Sequence, residues 1–182
     1  IYLDSATYNE IFGNYLGVDV YGNTAMANQS GGGGGSSITL DNQSSHNIIG
    51  DGTTGGRNVM GAGGSGADMA SHVLITNNSN YNLIAGNYIG VGVDGSTGLG
   101  IGSGVNISGS VKNQIGLPAP AAANVISGNP DGGIVLSDAD STVVLQNFIG
   151  VDATGNAAVA NQFGIRLNSG TTHANIGNAT AS

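Results

Sequence analysis

The sequence contains no cysteine and no tryptophan, has only three prolines, and carries charge on just 8 % of its residues. Without cysteine it can form neither disulfides nor thiolate metal sites, a composition compatible with an extracellular location. Three lysines and arginines stand against eleven aspartates and glutamates, for a net charge of −8. Nucleic acids and anionic membranes both need a basic face, so neither is expected as a partner. No apolar run approaches the roughly 20 residues of a spanning helix, so membrane insertion is not expected. No charged segment followed by an apolar one opens the sequence, which reads as no signal peptide in the chain as given.

Glycine is abundant, at 34 of 182 residues, alongside much asparagine, serine and threonine. Such a chain could be disordered, but 39 % of it is hydrophobic, mostly Ile, Val, Leu and Ala in short runs. Runs of that length suit strands, and the Gly, Asn and β-branched content disfavours helices.

A short strand of the form aliphatic-x-aliphatic recurs at Ile1, Ile38, Val73, Val105, Ile134 and Ile165. A second short strand centres on Ile11, Ile49, Ile84, Ile115 and Val144, with Ile176 as an offset sixth copy. The third reads "NYLG", "NVMG", "NYIG", "NVIS" and "NFIG". Three strands per unit with variable loops describe the coil of a β-solenoid, in which each strand pairs with its copies in the coils before and after. The expected fold is all-β: one single-stranded parallel β-helix domain over residues 1–182. It has about six coils of three short strands, starting near 1, 38, 73, 105, 134 and 165. At one strand spacing per coil the rod would be about 29 Å long. Alternation along each strand points Ile1/Leu3, Ile38/Leu40, Val73/Ile75, Val105/Ile107, Ile134/Leu136 and Ile165/Leu167 inward.

The third strand also supplies columns. Asn14, Asn58, Asn87, Asn124 and Asn147 share one position, and Tyr15, Val59, Tyr88, Val125 and Phe148 share the next. Aromatic and valine versions alternate, so the true period is two units. At a sharp bend over a dry interior, an amide that both donates and accepts can satisfy the bend and bond to the next coil. That makes the Asn column a structural ladder; a row of ligand-binding amides is the competing reading. Gly17, Gly61, Gly90 and Gly150 suit a tightly packed corner. The aromatic column either packs beneath a loop or stacks on sugar rings.

These residues carry a resemblance. "VVLQNFIGVDATGNAAVANQFGI" (143–165) and "NEIFGNYLGVDVYGNTAMANQ" (9–29) form one half-unit; "NQIGLPAPAAANVISGN" (113–129) and "NIIGDGTTGGRNVMG" (47–61) form the other. The sequence resembles the right-handed parallel β-helix repeat proteins of the pectate-lyase-like superfold. More narrowly it resembles the long bacterial secreted or surface proteins built from such tandem units. The resemblance covers essentially the whole chain and implies an extracellular or cell-surface location within a longer repeat array. It is weak for function, because the superfold carries lyases, hydrolases, adhesins and inert spacers. Two departures stand out. "QSGGGGGSS" (29–37) reads as a flexible loop in place of a short return, and Gly92 replaces the usual Asp, with Asp94 two residues on.

For chemistry, the resemblance implies clustered outward carboxylates, joined in lyases by calcium and a basic residue. The cations are Arg57, Lys112 and Arg166. Arg166 falls on the outward column Tyr2, Thr39, Leu74, Asn106, Val135, Arg166, which holds no carboxylate. Asp4 and Asp41 share the next position, either as a catalytic pair or as a solvated strand end. Asp138 and Asp140 in "SDADS" could hold calcium through oxygen ligands or form Asx-turns, and Asp19 and Asp152 are open to the same two readings. His46, His72 and His173 read as lying in different coil positions, so no metal site is expected. Neither a G-x-S-x-G elbow nor a Walker loop is present, and the mixed outward columns argue against ice binding. No catalytic constellation is complete, so we expect a structural or adhesive module, not an enzyme, and no cofactor. The chain starts on a strand and ends within a half-unit without an evident cap, which suggests end-to-end self-association into a filament. A polysaccharide-binding or polysaccharide-degrading protein is the alternative, with a glycan or cell-surface partner.

Overall fold

The computed structural model describes residues 1–27, 35–62, 71–119 and 122–177. Among them are seventeen strands and no α-helix, in three parallel sheets. The first sheet holds β1 (Tyr2–Asp4), β4 (Ile38–Asp41), β7 (Ser71–Thr76), β10 (Ser103–Ser108), β13 (Gly132–Ser137) and β16 (Ile165–Leu167). The second holds β2 (Glu10–Ile11), β5 (Ile48–Ile49), β8 (Leu83–Ile84), β11 (Gln114–Ile115), β14 (Val143–Val144) and β17 (Asn175–Ile176). The third holds β3 (Tyr15–Leu16), β6 (Val59–Met60), β9 (Tyr88–Ile89), β12 (Val125–Ile126) and β15 (Phe148–Ile149). Every strand pairs in parallel with its counterpart one coil away, which makes the chain a parallel β-helix. Five coils contribute to all three sheets; the sixth contributes β16 and β17.

The columns read from the sequence are the registers of the sheets. Leu3, Leu40, Ile75, Ile107, Leu136 and Leu167 lie in file, as do Ile11, Ile49, Ile84, Ile115, Val144 and Ile176. In the inner coils these side chains are fully buried, each stabilising the fold by about 1.5–3 kcal/mol. At the outermost coils Ile1, Leu167 and Ile176 are exposed, because a single coil covers its aliphatic face only when another lies on it.

Three strand boundaries differ from expectation. β7, β10 and β13 begin two residues early, at Ser71, Ser103 and Gly132, where pairing continues through Ser, Gly and His72, which carry no aliphatic strand signal. Most of the glycine-rich stretch 29–37 lies outside the described residues.

Candidate functional site

The Asn column forms a continuous ladder. Asn14 Nδ2 donates to Asn58 Oδ1 (3.0 Å), Asn58 to Asn87 (2.9 Å), Asn87 to Asn124 (3.1 Å) and Asn124 to Asn147 (2.8 Å). Each accepting oxygen also takes the backbone N–H of the preceding Asn, as Asn87 Oδ1 does from Asn58. Each Nδ2 from Asn58 onward also reaches a carbonyl at the bend: Ile11, Ile49, Ile84 and Ile115 in turn. Asn58, Asn87 and Asn124 are fully buried. The amides are therefore committed to the interior, not offered to a ligand.

A second ladder was not anticipated. Asn9, Asn47, Asn82 and Asn113 bond in the same way at the corner before the second sheet. The sequence signal was there: each precedes its Ile (Ile11, Ile49, Ile84, Ile115) by two residues, as Asn14 precedes Leu16. A serine file runs beside it, with Ser44 Oγ accepting from Ala6 N–H, Ser79 Oγ from Ser44 N–H and Ser110 Oγ from Ser79 N–H.

The two-unit period also has a structural cause. In coils one, three and five the third sheet runs into a small hairpin, closed by the bridges Val18↔Ala25, Val91↔Gly98 and Val151↔Ala158. These hairpins stack on each other across the skipped coils: Val93 N–H donates to Gly22 O and Ala153 N–H to Gly95 O, both at 2.9 Å. Tyr15, Tyr88 and Phe148 belong to the hairpin-bearing coils, and each ring lies against its own hairpin glycine: Gly22, Gly95 or Gly155. Coils two and four, which carry Val59 and Val125, widen instead at the preceding corner, where Gly52 meets Ala122 across coil three. The aromatic rings thus pack against the hairpins, with Tyr88 buried, Phe148 partly buried and Tyr15 about half exposed.

The aspartates of the hairpins are turn formers. Asp19 Oδ1 accepts the N–H groups of Asn23 and Thr24; Asp152 accepts from Thr154, Asn156 and Ala157. Thr154 holds the Asp152 carboxyl below its ordinary range, helped by those N–H groups. Asp94, though displaced, does the same work: partial burial opposes its ionisation, yet Thr97 and Ser96 hold it down to about 2.

Asp138 and Asp140 depart from the Asx-turn expectation. Asp140 reaches into the next coil, accepting from the Thr172 hydroxyl and facing His173 Nδ1 at 2.8 Å; these partners hold it at about 2. Asp138 stands exposed beside Gly170. The histidine expectation is also corrected. Inter-coil backbone bonds put Tyr8, His46, Tyr81, Lys112, Ser141 and His173 in one column, so His46 and His173 share a position and only His72 is separate. All six have φ between 51° and 60°, so this corner turns through the left-handed region. Loop lengths that vary from coil to coil hid this register. Tyr8, His46 and Tyr81 stack with ring centres 5.0 Å apart. Among the described residues no three His, Asp or Glu converge as a metal site.

Asp4 and Asp41 are in register. Tyr2 OH donates to Asp41 Oδ2 (2.6 Å) and Asn77 Nδ2 to Oδ1 (2.7 Å), lowering the Asp41 pKa; Asn42 Nδ2 donates to Asp4. Arg166 lies four coils away. It instead closes a groove of about 500 Å³ on the outer face of the first sheet. Leu74, Asn106, Val135 and Arg166, in file, form the floor, and Ser103, Asp131 and Gln162 an edge. The Arg166 guanidinium sits 4.3 Å from the centre of the Phe163 ring. Gln162 belongs to the repeated "ANQ" (27–29 and 160–162) and Asp131 to a loop without a copy, and neither pattern signals a groove. No protein-family model, curated protein or solved structure matches the chain.

Proposed function

We propose that the chain is a structural module of an extracellular or cell-surface β-helical rod, able to extend by stacking end to end, and that it is not an enzyme. The observation that carries this reading is the direction of the corner amides: two files of asparagine bond coil to coil and leave nothing for the exterior. A coil placed ahead of the first, from another copy, would join Asn9 and Asn14 by the same bonds; towards the other end only the first file continues past the coil of Asn113, whose place is taken by Thr142. Sedimentation velocity with electron microscopy is the test. We expect head-to-tail species that lengthen with concentration; a strictly monomeric species at high concentration removes the stacking.

The groove supports a second reading, in which the rod holds a polysaccharide along its first sheet. An aliphatic and amide floor with one arginine against an aromatic ring offers both the apolar contact and the hydrogen bonds that a sugar chain uses. Binding of neutral and acidic polysaccharides, with and without calcium, tests it. If the reading holds, Arg166→Ala weakens binding at least tenfold with the unfolding midpoint unchanged. Failure of every polysaccharide to bind discards it.

A further inference from the structure

The corner between the third sheet and the next coil is filled in two ways. At the ends of coils four and five, Asn129 and Asn161 cap it: Asn129 N–H and Nδ2 both donate to Asn161 Oδ1, at 2.9 and 3.1 Å. Their amides lie against Gly104 and Gly133, which have no side chain to compete for the space. One coil earlier the arrangement is reversed. Gly100, four residues before Gly104 as Asn129 is before Gly133, brings no amide, and the residue in file with Gly104 is His72. The His72 ring is fully buried in that space. Its Nε2 accepts the Ile101 N–H and its Nδ1 faces Ser37 Oγ, each at 3.4 Å.

An amide caps the corner at any pH in the acid range. An imidazole does so only while Nε2 is unprotonated. Protonation would turn that acceptor into a donor facing another donor, and would bury a charge that meets no counter-ion among the described residues. The segment 99–102 held by this contact is tied in turn to the groove edge, because Gly102 O accepts the Asp131 N–H at 2.9 Å. We propose that His72 is an acid-released latch: it holds segment 99–102, and through it the Asp131 edge of the groove, closed at neutral pH and lets it open in acid.

Burial lowers the His72 pKa from 6.5 to about 4, and no charged group among the described residues contributes. Among the described residues the polar groups facing the ring are the Ser37 hydroxyl and the Ile101 N–H, and Asp131 joins the segment through its backbone. Because the closed form binds the proton more weakly than the open form, the latch is at full strength above pH 6.5. It weakens progressively as the pH falls towards 4. The latch does not depend on what, if anything, occupies the groove.

Amide hydrogen exchange on the full chain tests it. The opening constants of the Ile101 and Asp131 amides should rise roughly 30-fold between pH 7.5 and pH 5, while that of Ile107 stays constant. His72→Gln keeps an acceptor that does not titrate, so its profile should be flat. An equal rise in His72→Gln, or none in the unaltered chain, overturns the latch. Should that variant fail to fold, the imidazole titration followed by NMR in the unaltered chain decides: a midpoint near 6.5 refutes the proposal, and one near 4 supports it.

Discussion

Replacing Asn87 by alanine should lower the unfolding free energy by about 4 kcal/mol or more. The change leaves the Asn58 N–H without an acceptor. It also takes one of two hydrogen bonds from Asn58 Nδ2, Ile49 O and Asn124 Oδ1, which keep Ile11 O, the Ala85 N–H and the residue 87 N–H as partners; each such loss adds about 1 kcal/mol. All lie in a part of the structure that water does not reach, where an orphaned polar group costs about 1–3 kcal/mol. The loss is a large share of the roughly 5–15 kcal/mol that holds an ordinary domain together. Asn147→Ala, at the half-exposed end of the same file, should cost only about 1 kcal/mol, since water can replace the lost partners. Urea unfolding followed by circular dichroism compares the two. Equal effects would mean that the ladder does not act through buried amides.

Gly90→Ala should be nearly as damaging, for a different reason. Gly90 has φ of 83°, and a Cβ there would lie 2.4 Å from Ser127 O and 2.3 Å from Asn129 Oδ1. Left-handed backbone costs a non-glycine residue about 1–2 kcal/mol, and parting two coils at a backbone carbonyl adds to it. We expect a total of about 3 kcal/mol or more. Gly109→Ala separates the two terms: its φ is 59°, and a Cβ would meet nothing within 4 Å. It should show the conformational cost alone, about 1 kcal/mol. If the two variants melt together, coil-to-coil crowding at Gly90 is not the cause.

The fold was legible because stacking turns sequence repetition into geometry. Once Leu40, Ile75 and Ile107 are recognised as copies, the pleat decides which face they share and the ladder decides that they touch. The asparagine file followed from the same alignment, since a corner amide needs an identical partner one coil away. What escaped was whatever skipped a coil or lacked a copy. Hairpins 18–25, 91–98 and 151–158 bond to one another past the coils between them, a relation between alternate units that coil-by-coil reading passes over. His46 and His173 fall in one file although the residues between them are tyrosine, lysine and serine, so only backbone bonds reveal the register. Asp131 reaches the groove from an unrepeated loop, Gln162 from a repeated one whose pattern says nothing of a groove, and His72 replaces an asparagine cap from the opposite side of its corner.

The alternation of the hairpins has a consequence for how such a rod can change length. Duplicating or deleting one coil would set a hairpin over its neighbour with no gap between them, or leave one with nothing beneath it. Recombination that keeps each hairpin seated must therefore exchange coils in twos. Growth would then come in increments of about 10 Å of axis, and odd-numbered insertions should be the ones that fail to fold.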